Sequence, residues 1–147
     1  MTNISGKCAI VGVGETKSGK VPGVSTLALH LDAIKRALED AGLQNSEVDG
    51  LLTNQPMHDP MRCYGVVVAH AAGITPRYTT DLAMGGATPI AMAIHAAMAI
   101  QSGLATTVVC VHARNQATKK LLPARCRGPV QDGSRSTSSS DGSQRLT

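Results

Sequence analysis

Few residues in this chain have the type and spacing that chemistry needs. Cys8, Cys63, Cys110 and Cys126 stand far apart, with no CxxC and no Cys/His pair at zinc spacing. They form no disulfide or zinc framework and read as reduced thiols, with no metal site. Cys8 in KCAIV and Cys110 in TVVCV fall in apolar runs, where a thiol acts as a small buried hydrophobe. Cys63, after Pro60, reads as a plain helix cysteine rather than a thiol activated at a helix start. His58 and Asp59 are adjacent in a Pro-flanked loop and read as solvated rather than as an acid/base pair. His95 is the lone polar ring in PIAMAIHAAMAI. Its ordinary reading is a satisfied core histidine, and the alternative is a residue lining a ligand pocket.

Two backbone motifs remain. Gly12 and Gly14 give GxG, but the dinucleotide fingerprint needs a third glycine where Lys17 stands, and the next helix begins too late to meet a pyrophosphate. A nicotinamide cofactor is not supported. In Met84-Gly85-Gly86-Ala87-Thr88-Pro89, Thr88 can cap a helix and Pro89 can occupy its first turn. No base is in view to make Thr88 a nucleophile.

The elements that must position these residues follow from periodicity. Residues 7–16 (KCAIVGVGET) are apolar on both faces and predict a buried parallel strand. After Ser25, Leu27, Leu31, Ile34 and Leu38 recur at helical spacing, with Asp32, Lys35, Arg36, Glu39 and Asp40 on the wet side and Gly42 as the stop. Further strands are expected at 48–53, 77–82 and 105–113, and further helices at 61–72 and about 89–102. Strands alternating with helices at this pitch mean an α/β fold with a mostly parallel sheet. The last helix is apolar all round, so it must be covered on every side. The strands present cannot do this, and a layer is missing.

Composition narrows the class. The chain has 147 residues, 42% hydrophobic and 16% charged, with no Trp or Phe, which fits one ordinary domain. The net charge is +4, but half the excess sits in residues 123–147, and two tyrosines offer little for stacking on bases. Nucleic-acid binding is therefore disfavoured. Glycines and Pro89 break the longest uncharged stretch, so no membrane span is expected, and no secretory signal is apparent, leaving a cytoplasmic location as the default. Residues 123–147, rich in Ser and Arg with no period, read as a disordered tail, either natural or out of frame.

The ordered series CAIVGVGETKSGK, STLALHLDAIKRALEDAGL, SEVDGLL and IAMAIHAAMAIQSGLATTVVCV resembles the opening of the thiolase superfamily, in its lipid-transfer-protein and thiolase-like branch, over residues 6–120. The resemblance implies that residues 1–122 are a truncated N-terminal portion of a thiolase-like layered fold. It implies an acyl-CoA thioester as substrate or ligand, with no resident cofactor. It also places the turn that carries the family's nucleophilic cysteine at Gly85, Gly86, Ala87 and Thr88, with His95 as a further lining residue. The cysteine itself falls at Gly86, which has no side chain to acylate, so covalent acyl transfer is not expected and no catalytic residue is assigned. The complete protein is then an acyltransferase relative in lipid metabolism or a carbon-carbon lyase, and this chain alone is inactive. The alternative is a non-catalytic acyl-CoA-binding or scaffolding subunit. A homodimer or a complementing subunit would supply the missing layer.

Overall fold

The computed structural model describes residues 6–56 and 61–115. His58, Asp59, Cys126 and the expected tail at 123–147 lie outside the described residues. Three strands, β1 (Gly50–Asn54), β2 (Tyr78–Leu82) and β3 (Val108–Val111), alternate with three helices, α1 (Thr26–Ala41), α2 (Tyr64–Ala72) and α3 (Thr88–Gln101). The sheet is parallel in the order β2-β1-β3, with Leu51 opposite Thr79 on one side and Val109 on the other. The fold is α/β, as the alternation implied.

One expected strand is absent. Residues 7–16 pair with no strand among the described residues; they run against α1 instead. A Cβ on Gly12 would strike the Ala37 carbonyl and lie 2.7 Å from the Ala41 Cβ, and one on Gly14 would strike Ala33 and Ala37. The two glycines therefore serve close packing on a helix backbone. The Val13 N–H donates to Asp40 Oδ2 at 2.8 Å, a donor that a strand ladder would have used. Ile10 is left 86% exposed, so the apolar run is not buried as its composition suggested.

Local chemistry sets the helix ends. Ser25 Oγ accepts from the Ala28 N–H at 3.1 Å. Gly42 adopts φ 66°, which lets Leu43 N–H reach the Leu38 carbonyl at 3.0 Å and closes α1. The outward side of α1 carries two ion pairs, Asp32–Arg36 at 3.1 Å and Lys35–Glu39 at 3.7 Å.

Right-handed crossovers place the helices. The chain steps one way from β1 to β2 and back across β1 to β3, so α2 and α3 fall on opposite faces. On the first face α1 and α2 close over Leu51, burying Ile34, Leu38, Tyr64 and Val68 with it. On the second, Leu52 points the other way and α3 buries Met92 and Ala99.

The strand starts are tied together by Asp49. Its carboxylate accepts from the N–H groups of Thr106 and Thr107, both at 2.8 Å, and from the Thr106 hydroxyl at 3.0 Å. Its carbonyl takes the Arg77 N–H at 2.7 Å. Desolvation opposes the charge on Asp49, but the Thr107 and Thr106 donors and the Arg77 cation outweigh it and hold the carboxyl below its ordinary range.

Candidate functional site

Because the strands are parallel, their carboxyl ends share one edge, where ligands of open α/β sheets usually sit. The connection after β2 there forms a single 3-10 turn, Gly85–Ala87, that runs directly into α3. Thr88 does not cap the helix. Ala87 holds that position, and Thr88 is the first helical residue, fully buried. Its hydroxyl accepts from the Met84 N–H at 3.0 Å and donates to the Gly85 carbonyl at 2.8 Å, stapling the turn. Arg114, beyond β3, donates to the same carbonyl at 3.5 Å.

Gly85, Gly86 and Ala87 are exposed at the mouth of this turn. Gly85 needs its glycine, with φ 61°, but Gly86 does not: an added Cβ would meet nothing within 4 Å. The absence of a side chain at position 86 is thus a chemical property of the turn rather than a demand of the backbone. Of the expected site residues, these four lie together. His95 does not join them, being half-buried two turns further along α3, about 10 Å up the axis.

The same edge holds a polar network that motif spacing does not reveal. His30 is fully buried on α1, with Nδ1 2.8 Å from the Thr26 carbonyl and 3.1 Å from the Tyr64 hydroxyl. Its Nε2 lies 3.1 Å from Asn54 Oδ1 at the end of β1. The Asn54 amide cannot turn over, since Oδ1 accepts from the Ala113 N–H at 2.8 Å and Nδ2 donates to the Ala113 carbonyl at 3.1 Å. A neutral ring has one N–H for these two acceptors. Desolvation nonetheless prevails over the Thr26 and Asn54 contacts and the Asp81 charge, and lowers the His30 pKa. The Thr53 hydroxyl donates to Asp81 beside this network. One signal is present in the sequence: His30, Ile34 and Leu38 stand four residues apart on one stripe of α1.

The thiols depart from their expected places. Cys8 and Cys110 are exposed residues, not core. Cys8 sits on the unpaired first segment, with its sulfur 4.0 Å from the Ala97 carbonyl. Cys110 turns its sulfur toward the Met92 carbonyl at 3.7 Å, and desolvation there pushes its thiol up to about 11, so it stays protonated. Cys63 caps α2 with φ 53° instead of lying within the helix. Among the described residues, no group of three His, Cys, Asp or Glu side chains could hold a metal ion, and no helix is long and apolar enough to cross a membrane.

No model of a known protein family matches the chain. Individual proteins do. It is 40% identical over 114 residues to a 17-hydroxy-3-oxo-4-pregnene-20-carboxyl-CoA lyase of Mycobacterium tuberculosis, covering 77% of this chain and 28% of that protein. It is 34% identical over 122 residues to a steroid side-chain-cleaving aldolase of Thermomonospora curvata, covering 79% and 29%. The chain thus spans less than a third of the length of the curated relatives it matches. Among solved structures, the Ltp2-ChsH2(DUF35) aldolase superposes with a TM-score of 0.67 at 33% identity, over 80% of this chain and 30% of that one. A monomeric SCP2-thiolase-like protein of Mycobacterium smegmatis superposes with a TM-score of 0.58 at 25% identity, over 70% and 22%. With its parallel sheet, its stapled turn into an apolar helix and these relatives, the chain belongs to the thiolase superfamily, of which it carries part of the fold.

Proposed function

We propose that this chain is the part of an acyl-CoA carbon-carbon lyase that receives the thioester at the Gly85–Thr88 turn, without forming an acyl-enzyme. The carrying observation is Gly86, open and without a side chain at the helix entrance, in a chain whose relatives are named lyase and aldolase. Aldol cleavage of a β-hydroxyacyl thioester needs no nucleophile. A base takes the hydroxyl proton, the carbonyl forms as the carbon-carbon bond breaks, and the electron pair moves onto the thioester as an enolate, whose α-carbon then takes up a proton to give the shortened acyl thioester. The Ala87 and Thr88 N–H groups are spent on the Met84 and Gly85 carbonyls and Pro89 has none, so the Gly86 N–H at the turn's open side is the donor that suits that developing oxyanion. The turn residues bind and orient the thioester oxygen here, and His95, about 10 Å further along α3, would meet only a more distant part of the ligand. The base lies outside the turn.

The test uses a β-hydroxyacyl-CoA carrying a radiolabel in its acyl group, incubated with the full chain alone and with a full-length relative bearing the same Gly-Ala-Thr-Pro turn. Ketone release by the relative without label on protein is the expected result, with binding but no turnover by this chain. Label that survives denaturation of the protein overturns the reading.

A second reading concerns completion by a partner. Ile90, Ile94 and Met98, spaced four apart on α3, are 69%, 55% and 49% exposed, an apolar stripe with no cover among the described residues. The Ltp2-ChsH2(DUF35) aldolase pairs two named components, and a complementing subunit or a second copy of this chain would cover the stripe. Ile94→Lys should abolish association in sedimentation while leaving the fold intact. Unchanged association would remove the stripe from consideration.

A further inference from the structure

A cleft of about 300 Å³ opens at the sheet's carboxyl edge between the loop at 14–19 and the segment 112–114. We propose that it binds a phosphate group. Its walls bring together Lys17, Arg114 and His112 with the hydroxyl residues Thr16 and Ser18, over a floor that includes Leu29. Two cations with hydroxyl donors and an imidazole suit a tetrahedral anion with several lone pairs on each oxygen. Glu15 also lines the cleft and opposes an anion, but it accepts the Ser18 hydroxyl at 3.4 Å and is outnumbered by Lys17 and Arg114.

Among the described residues, no carboxylate pairs with these cations: both ion pairs lie on α1, and neither involves Lys17 or Arg114. Desolvation, with the Arg114 charge beside it, lowers the His112 pKa. An anion in the cleft would reverse that shift.

The walls are also fixed in place. Asn115 donates to the Val24 carbonyl at 2.7 Å and to the Val21 carbonyl at 3.4 Å, tying the segment after β3 to the far end of the loop. Val13 bonds to Asp40 at the near end, and Gly14 is pressed onto the α1 backbone. A cleft held at both ends loses little freedom when it is filled. Its volume exceeds that of one phosphate, so it admits a phosphate carried on a small organic body. The site shares Arg114 with the turn of the lyase reading, through its bond to the Gly85 carbonyl at 3.5 Å, but Lys17 lies on the loop wall, so a failure at Lys17 is distinguishable from a failure of that reading.

The experiment is a titration of the full chain with inorganic phosphate at constant ionic strength, following the His112 ring signals by NMR, with assignment from His112→Gln. A saturable shift and a raised His112 pKa are expected. Lys17→Ala should weaken binding about tenfold, and adding Arg114→Gln should remove it. Lys35→Ala, on the outward side of α1, should leave it unchanged. Adenosine 3′,5′-bisphosphate is the second probe: tighter binding than phosphate assigns the site to a nucleotide phosphate, and equal binding assigns it to free phosphate. The proposal fails if His112 responds no more to phosphate than to chloride, or if the response survives undiminished in Lys17→Ala. Because Lys17 lies on the loop wall, that single variant decides the matter even where Arg114→Gln loosens its segment.

Discussion

The two faces of the sheet are finished differently. On one, α1 and α2 seal Leu51, and the outward side of α1 is charged, from Asp32 to Asp40. On the other, α3 lies alone and its outward side is Ile90, Ile94 and Met98. Nothing in the strand pattern distinguishes these faces; the helices do. A helix that ends at water carries charge on its outer side, whereas one that continues into more protein does not. The sequence of α3, with no charged residue in fourteen, therefore marks an unfinished surface.

The largest effect should come from cutting the same kind of side chain on each face. Leu51→Ala, at a fully buried position, should cost about 2–5 kcal/mol. Ile94→Ala, on the open stripe, should change stability by no more than about 0.5 kcal/mol. Urea unfolding of the full chain measures both. Equal costs would mean that α3 is covered in solution and that the open face is not open.

Much of this contrast is legible in the amino-acid sequence. The apolar girth of α3 predicts an uncovered side, and the Gly85–Thr88 turn falls at the helix entrance where its glycines and Pro89 place it. The helix ends are readable because Ser25 and Gly42 act within a few residues of themselves. What the sequence hides is long-range. Residues 7–16 have the composition of a buried strand, but composition does not show that Gly12 and Gly14 bring the backbone onto α1. Cys8 departs from expectation for a related reason: an apolar neighbourhood in sequence is not burial in space, while Cys110 is an exposed residue whose sulfur alone is desolvated. His30 is hidden because its partners, Asn54 and Tyr64, lie 24 and 34 residues away.

The next effect sharpens the comparison, since His30 belongs to the closed face. Burial lowers its folded pKa below the ordinary 6.5, so the unfolded chain binds more protons as the pH drops through that value. Stability is then full above about pH 6.5 and declines as the pH falls toward the folded pKa. His112, lowered in the same direction, adds to the slope. His30→Leu should cost about 1–3 kcal/mol at pH 8, by removing the one hydrogen bond that the neutral ring donates and the ring nitrogen that faces the Tyr64 hydroxyl. It should also flatten the pH dependence below about pH 6.5, and unfolding midpoints as the pH is lowered through that value provide the check. A variant with the wild-type slope would show that His30 is not the titrating group.

The smallest effect on stability, and the most informative chemically, belongs to the open face. Gly86→Cys adds a side chain where nothing lies within 4 Å and where φ is not positive, so the fold should tolerate it with little change. The new thiol stands at the entrance of α3, where the partial positive charge of the helix start lowers a thiol pKa from about 8.5 toward 7 or below. Cys110 provides the internal contrast, pushed up to about 11 by desolvation one strand away. Alkylation rates against pH, with peptide mapping to assign each site, should place position 86 far ahead of Cys110 and ahead of Cys8 near neutral pH. A full-length relative with the same turn gives a second comparison, with the turn in its complete chain. A position-86 thiol no faster than a model peptide would show that the helix start exerts no useful field on that atom. The oxyanion role proposed for the turn would then lose its electrostatic basis, while the contrast between the two faces would stand on packing alone.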